Sequence, residues 1–167
     1  MLILVAGLPA SGKTTFANAL AEKLDAFRLN SDALREKLNL RGKYDPASKQ
    51  KVYDAMLTLA EETLLEGKNL VVDSTFYKEA LRKPWHNLAA KTNAASYFIE
   101  VTVADEDARK RLQIPRADSE ATWNVYQALK EDWEPIREPH LKLNASELSL
   151  EEMVEEAVKV VGMRGEG

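Results

Sequence analysis

The sequence contains no cysteine and only two histidines, His86 and His140. The absence of cysteine excludes disulfide bonds, cysteine nucleophiles and thiolate metal sites. The two histidines lie far apart along the chain, without a spacing suited to a metal site. We therefore expect a structural or solvent-exposed role for each histidine, and the chemistry must come from other side chains.

Long apolar runs are also missing. The run Met1–Ala6 is too short to cross a membrane, has no basic segment before it, and ends directly in a glycine-containing loop. We interpret it as a buried first strand. The expectation is a cytoplasmic protein with no membrane partner.

An excess of positive charge is absent as well, since the formal net charge is −4. Extended, non-specific binding to a nucleic-acid duplex depends on a positive field, so this balance weakens that class of function. A negative net charge is still compatible with a local basic pocket that binds one phosphorylated end of a nucleic acid.

Strand-like apolar runs alternate with helical patterns along the 167 residues. This alternation predicts an α/β fold, a parallel sheet with helices on both faces. We predict one domain over residues 1–162 and a tail over 163–167. The predicted strands are 2–6, 26–29, 70–73, 96–103 and 141–143, and the main helices 14–24, 46–67, 105–112 and 150–161.

The segment Gly7-Leu8-Pro9-Ala10-Ser11-Gly12-Lys13-Thr14 matches the phosphate-binding loop G-x-x-x-x-G-K-[ST], with a strand before it and a helix after it. We expect Gly7 and Gly12 to adopt backbone angles closed to other residues, so that main-chain N–H groups face the phosphates. Lys13 can bridge the β and γ phosphates, and the Thr14 hydroxyl can bind Mg²⁺. The predicted ligands of ATP or GTP in this segment are Gly7, Pro9, Ala10, Ser11, Gly12, Lys13, Thr14 and Thr15.

Asp32 and Arg35 follow the second predicted strand, three residues apart. Ser31 is predicted to cap the helix that holds them. Ligands of open α/β sheets sit at the carboxyl ends of the strands, so Asp32 should lie near the phosphate-binding loop. There Asp32 could take the proton of an acceptor hydroxyl, and Arg35 could pair with an anionic group of the acceptor. The alternative is a helix cap with a local ion pair.

Asp73 ends the apolar strand of residues 70–73 and is the predicted Walker B carboxylate. It could hold the Mg²⁺ shell through water, or accept a hydrogen bond from Thr14, or organise the following loop through Thr75. Thr75 is also a candidate for substrate binding. Arg82 could be only a surface residue, on a helix that Pro84 is expected to shorten or kink.

A basic segment interrupted by Pro115 lies between two helical stretches, and we predict a lid over residues 113–122. Its closing would exclude water and bring a guanidinium group onto the transferring phosphates. Arg111 and Arg116 are the preferred candidates over Arg109, and Arg116 is a predicted catalytic residue. The alternative is a solvated charged turn.

These motifs together resemble those of P-loop kinases of the polynucleotide kinase-like and AAA_33 type, related to gluconate kinase and chloramphenicol phosphotransferase. The resemblance runs over nearly the whole chain, through Ser31-Asp32-x-x-Arg35, Val72–Thr75, Arg111 to Ala121 and Asn144–Ser149. It implies the three-layer sandwich of the P-loop NTPases. It also implies that Asp32 acts as general base, that Arg35 binds the acceptor's phosphate, that the lid arginine contacts the transferring phosphates, and that Asn144 lies near the nucleotide base.

The function that we predict is NTP-dependent transfer of a phosphoryl group to a hydroxyl, with a polynucleotide 5′-OH end as favoured acceptor. A basic cluster on the acceptor side supports this: Arg41, Lys43, Lys49 and Lys51. An ordinary solvated face is an equally good interpretation of that cluster. The alternatives are a kinase for a sugar, nucleoside or antibiotic hydroxyl, and a nucleotide-operated switch or ATPase.

Overall fold

A computed structural model describes residues 1–115 and 121–165. Five parallel strands form one sheet in the order β2-β3-β1-β4-β5. The strands are β1 (Leu2–Ala6), β2 (Phe27–Asn30), β3 (Leu70–Ser74), β4 (Ser96–Thr102) and β5 (Leu141–Asn144). The helices are α1 (Lys13–Lys23), α2 (Ser31–Lys37), α3 (Pro46–Leu65), α4 (Glu79–Lys91), α5 (Asp105–Leu112), α6 (Trp123–Glu131) and α7 (Leu150–Gly165).

The central strands are buried on both faces. Every residue of β1 and β3 is buried, which explains why these strands read as continuous apolar runs. Side chains of β1 alternate between two clusters: Leu2 and Leu4 pack with residues of α3 and α4, and Ile3 and Val5 with residues of α1 and α7. The sheet therefore has a helical layer on each face, as the sequence predicts.

The strand order sets where a ligand can bind. β1 pairs with β3 on one side and with β4 on the other, so the chain connections diverge at its carboxyl end. Crevices form at such switch points in open parallel sheets. The phosphate-binding loop starts here, directly after Ala6, and the ends of β2 and β3 lie beside it because Asn30 and Asp73 are paired in the register.

Most predicted boundaries lie within about two residues of the observed ones, and two helices differ more clearly from the predictions. Helix α4 continues past Pro84 to Lys91, so the predicted shortening is wrong. Its buried residues Trp85, Leu88 and Ala89 lie beyond the proline, and their packing outweighs the lost main-chain hydrogen bond. Helix α7 continues to Gly165, so the first three residues of the predicted tail are helical.

Among the described residues, no helix is both long enough and apolar enough to span a membrane.

Candidate active site

The phosphate-binding loop runs from Gly7 to the start of α1. Ala10 and Gly12 have positive φ angles of 64° and 87°, and Gly12 is the N-cap of the helix. The first N–H groups of a helix have no partner within it, and the positive end of its dipole points the same way. Such loops form a concave site for anions. The conformation predicted for Gly12 is thus present.

The backbone conformation of Gly7 differs from the prediction. It is not among the residues with positive φ, so its backbone angles are open to other residues. A Cβ atom at Gly7 would lie 2.6 Å from the Ser11 Oγ and 2.7 Å from the Val101 main-chain oxygen. Gly7 is therefore required by the close approach of β4, and only Gly12 by backbone conformation.

Other loop residues have distinct positions. Pro9, Ala10, Gly12, Lys13 and Thr14 line a shared cavity, described below. The Ser11 side chain is buried, and its hydroxyl has no hydrogen-bond partner within the described part of the chain. Thr15 is exposed at the start of α1. The nucleotide contacts expected of Ser11 and Thr15 stay predictions.

Asp73 is fully buried next to the loop. Its Oδ2 accepts hydrogen bonds from the Thr14 hydroxyl at 2.8 Å and from the Asn30 side-chain amide at 2.7 Å. Burial raises the pKa of Asp73, while Lys13, Thr14, Arg28 and Asn30 act in the opposite direction. Of the roles expected for Asp73, the structure contains the hydrogen bond that holds Thr14 in place.

The oxygens of Thr14 and Asp73 also fit a magnesium ion. The Asp73 Oδ1 is buried, lies 3.7 Å from the Arg28 Nη1, and has no hydrogen-bond partner in the described residues. Mg²⁺ prefers oxygen ligands, keeps several waters, and is commonly held by one or two protein groups together with substrate phosphates. Thr14 would hold such an ion directly, and Asp73 would orient its shell.

Sequence reasoning missed Asn30. This residue caps α2 by accepting a hydrogen bond from the Ala33 N–H at 2.8 Å, and its amide donates to Asp73. The predicted cap, Ser31, is instead the first helical residue, and its hydroxyl accepts a hydrogen bond from Ser74 at 3.2 Å. The helix already begins at Ser31, so the capping position falls on Asn30, which is also the last residue of β2.

Asp32 and Arg35 form the expected pair on α2. The Arg35 Nη1 donates to the Asp32 Oδ1 at 2.9 Å, and the two side chains are 7% and 44% exposed. The Arg35 guanidinium also lies 4.6 Å from the ring centre of Tyr44. The local ion pair of the alternative interpretation is thus present, and it leaves the Asp32 carboxylate at the cavity surface.

The loop and the Asp32 side chain share one cavity of about 330 Å³. Its wall contains Arg35, Thr75, the tyrosines 44, 53 and 77, and, from α6, Val125 and Leu129. A carboxylate, a lysine and phosphate-binding main-chain groups therefore face one volume of a size typical for small-ligand sites. Burial raises the pKa of Tyr53, which keeps that phenol neutral.

The predicted basic cluster is only partly at the cavity. Lys49 contributes to the wall. Lys43 and Lys51 are exposed, and the exposed Arg41 lies 4.0 Å from Glu36. Three of its four members therefore lie on an exposed face outside the cavity wall.

The candidate lid arginines are at different positions. The Arg111 Nη1 donates to the Ala10 main-chain oxygen at 3.0 Å, directly on the phosphate-binding loop. The Arg109 guanidinium lies 5.5 Å from the ring centre of Trp123 instead. Arg116 and the other residues of 116–120 lie outside the described residues. The preference for Arg111 over Arg109 agrees with this geometry, and the catalytic role of Arg116 stays a prediction.

Asn144 ends β5 and is not part of the cavity wall. Its Oδ1 accepts a hydrogen bond from the Ser146 N–H at 2.9 Å, and the Ser146 hydroxyl donates to Asp107 at 2.7 Å. These bonds join the loop after β5 to α5. A contact of Asn144 with the nucleotide stays a prediction.

Arg82 is not the surface residue that the sequence left open as a possibility. The residue is 1% exposed, and its guanidinium lies 5.5 Å from the ring centre of Trp133. One hydrogen-bond partner is the nearby Phe76 oxygen, and the two others come from a segment about fifty residues later in the sequence, to which no local pattern points.

The sheet order and the loop at the end of β1 define a P-loop nucleotide-binding domain of the NTPase kinase type. Residues 2–136 match the family AAA_33, described as an AAA domain. The chain belongs to this family.

A curated relative is the L-seryl-tRNA(Sec) kinase of Methanococcus maripaludis, 28% identical over 107 residues. The match covers 60% of this chain and 41% of that protein, so the chain spans about two fifths of the relative's length.

Two solved structures have the same fold. The APS kinase of Mycobacterium tuberculosis in complex with AMPPNP and APS has a TM-score of 0.75 at 20% identity, over 96% of each chain. Kti12 of Chaetomium thermophilum in complex with ADP-AlF3 has a TM-score of 0.74 at 22% identity, over 95% of this chain and 98% of that chain.

Proposed function

We propose that this protein is a kinase that transfers the γ-phosphoryl group of ATP or GTP to an acceptor hydroxyl. The observation that carries the proposal is the common cavity of Asp32, Lys13 and Thr14. A switch protein needs the loop and the magnesium ligands but has no use for a carboxylate in the same cavity. The kinase names of the relatives support the same class of reaction.

In this proposal the loop and Lys13 bind the β and γ phosphates. Mg²⁺, held by Thr14 and oriented by Asp73, would neutralise phosphate charge. Asp32 accepts the proton of the acceptor hydroxyl as the hydroxyl oxygen bonds to the γ-phosphorus. The bond from that phosphorus to the oxygen bridging the β and γ phosphates breaks, and ADP or GDP leaves. Arg35 keeps the carboxylate oriented through its hydrogen bond, and Arg111 stabilises the loop at Ala10.

For the acceptor we propose a polynucleotide 5′-OH end. The three tyrosines of the cavity supply rings on which a base can stack, and Arg35 and Lys49 supply charge for a phosphate. The tRNA named for the curated relative is also a nucleic acid. The competing candidate is a small-molecule hydroxyl. Two observations favour it: the cavity is of modest size, and Lys49 is the member of the basic cluster that lines the cavity, while the other three lie outside its wall.

The test of the reaction uses γ-labelled ATP with a 5′-OH oligothymidylate, thymidine and a set of hexoses. Labelled oligonucleotide ends support the favoured acceptor, and label on a nucleoside or hexose alone supports the small-molecule candidate. Nucleotide hydrolysis with no labelled acceptor would contradict the kinase proposal.

The Asp32→Asn variant tests the base. The substitution keeps the size of the side chain and removes its ability to take a proton, so transfer should fall about 10²- to 10⁴-fold. Binding of a fluorescent ATP analogue should be unchanged. The matched control is Asp54→Asn, an exposed carboxylate of α3 away from the cavity, which should leave both measurements as in the wild type. Full transfer by Asp32→Asn would show that the base has been assigned wrongly.

A further inference from the structure

Arg82 joins two segments that are distant in the sequence. Its guanidinium donates three hydrogen bonds to main-chain oxygens: Nε to Phe76 at 2.6 Å, Nη2 to Glu134 at 2.5 Å and Nη1 to Pro135 at 3.3 Å. A planar guanidinium offers five N–H groups in a fixed arrangement, so it can hold several acceptors at once. A lysine ammonium could not reach the same three oxygens with this geometry.

Glu134 returns two contacts across the same junction. Its main-chain N–H donates to the Tyr77 oxygen at 2.8 Å, and its carboxylate accepts a hydrogen bond from the Glu79 N–H at 2.9 Å. Helix α4 starts at Glu79, and its N-cap Lys78 makes no capping bond. Glu134 therefore caps α4 from another part of the chain. We call Arg82, Glu134 and these main-chain partners the clasp.

Both segments joined by the clasp lead to the wall of the active-site cavity. The loop between β3 and α4 supplies Thr75 and Tyr77 to that wall. Helix α6, which ends at Glu131 just before the second segment, supplies Val125 and Leu129. On the loop side the clasp includes a wall residue, because the Tyr77 main-chain oxygen is a partner of Glu134 and the Tyr77 side chain lines the cavity. We therefore expect a change in the clasp to move Thr75 and Tyr77 relative to α6.

The loop would not keep its shape without support. Phe76 has φ of 50°, a left-handed conformation that a residue with a Cβ rarely adopts. Its main-chain oxygen is held by Arg82, and its ring packs edge-on against Trp85 and Phe98 at 6.0 Å between ring centres. Removing the Arg82 bond therefore releases a strained residue between two wall residues.

We infer that Arg82 and Glu134 are positioning residues that shape the acceptor part of the cavity. Neither is among the residues that line it. The hydrogen bonds described above for the clasp go to residues 76, 77, 79, 134 and 135, and not to the loop after β1 or to Asp73. The inference rests on the proposed kinase function, since it concerns the acceptor of that reaction.

The experiment compares two pairs of variants in the full chain. Arg82→Gln removes the guanidinium that donates the three hydrogen bonds, and Glu134→Ala removes the carboxylate that caps α4 while leaving the main-chain contacts of residue 134 in place. Arg82→Lys keeps the charge, and Glu134→Gln keeps an oxygen that can cap α4. The control is Arg137→Gln, an exposed arginine in the same segment. Three quantities are measured: the KM for the acceptor that the wild type labels, the Kd of a fluorescent ATP analogue, and amide hydrogen exchange of residues 75–79.

We expect Arg82→Gln and Glu134→Ala to raise the acceptor KM at least about tenfold, because a shift of about 1 Å in a positioning group can cost about a hundredfold. Exchange of residues 75–79 should rise in both, and the Kd of the ATP analogue should stay as in the wild type. Glu134→Gln should restore most of the acceptor KM and Arg82→Lys part of it. Arg137→Gln should match the wild type throughout. If Arg82→Gln does not fold, the comparison of Glu134→Ala with Glu134→Gln tests the inference.

Two results would overturn the inference alone. One is increased exchange with an unchanged acceptor KM, which would make the clasp purely structural. The other is a loss of ATP-analogue binding in step with the rise in KM. A wild-type protein that labels no acceptor would overturn the proposed function and with it the inference, and this outcome is seen before any variant is measured.

Discussion

Replacing Gly7 with alanine should displace the phosphate-binding loop, because the added Cβ atom would clash with neighbouring atoms. The new Cβ would lie 2.6 Å from the Ser11 Oγ and 2.7 Å from the Val101 oxygen. Non-bonded heavy atoms attract one another best at a separation of about 3.5–4.0 Å, so both contacts would be repulsive. The serine can rotate, but the oxygen belongs to the main chain of the buried strand β4 and cannot. The loop itself must therefore move by several tenths of an ångström or more.

The size of the effect follows from the kind of contact. Overpacking of a rigid interior costs about 1–3 kcal/mol. For a domain of this size, each kcal/mol lowers the melting temperature by about 2–4 °C, so a fall of roughly 2–12 °C is expected. The displaced loop also loses the alignment of its N–H groups with the phosphates. We expect the affinity for an ATP analogue to fall at least about tenfold, which corresponds to about 1.4 kcal/mol.

Gly67→Ala is the matched control. Gly67 has φ of +74°, and a Cβ there would meet nothing within 4 Å, so this variant carries only conformational strain. It should lose about 1–2 kcal/mol of stability and bind the nucleotide as the wild type does. Thermal unfolding by circular dichroism and fluorescence titration measure the two quantities. A Gly7→Ala protein with wild-type melting and wild-type affinity would refute the steric reasoning.

Two further changes test the helices. Gly162→Ala on α7 adds a Cβ that meets nothing within 4 Å, so it should raise the free energy of unfolding by up to about 1 kcal/mol in urea titration, and a decrease would contradict this. Hydrogen bonds from Lys130 and Tyr126 lower the pKa of Asp105 below 3.8. The ionised carboxylate therefore stabilises the fold above pH 3.8, and this contribution is lost as the pH falls below that value. Tyr126→Phe should reduce that acid-dependent loss, measured as urea midpoints against pH; an unchanged profile would show that the bond contributes nothing.

The sequence predicts correctly those features that are formed by residues close together in the chain. The phosphate-binding loop is a run of eight residues, and the buried strands β1 and β3 are continuous apolar runs. The order of strands and helices then follows from chain alternation. These properties depend on residues that are neighbours in the chain, so a pattern can contain them.

Features built by distant residues could not be predicted in the same way. Asn30 reaches Asp73 only because β2 pairs with β3, and Arg82 is buried only because residues 133–135 return to cover it. Pro84 led to a wrong prediction, since a helix-breaking residue predicts a short helix and α4 continues to Lys91. Packing of Trp85 beyond the proline overrides that preference.

The position of β1 in the sheet also governs how the chain can fold. Both partners of this first strand come much later in the sequence, β3 at residue 70 and β4 at residue 96. During synthesis the five apolar residues of β1 are made before both partner strands, and their hydrogen-bonding edges stay unpaired until those strands have emerged. Non-local pairing of this kind slows folding and exposes strand edges to association with other chains. The phosphate-binding loop, which needs β4 beside Gly7 to take its final shape, is therefore completed only after Val101 has been synthesised.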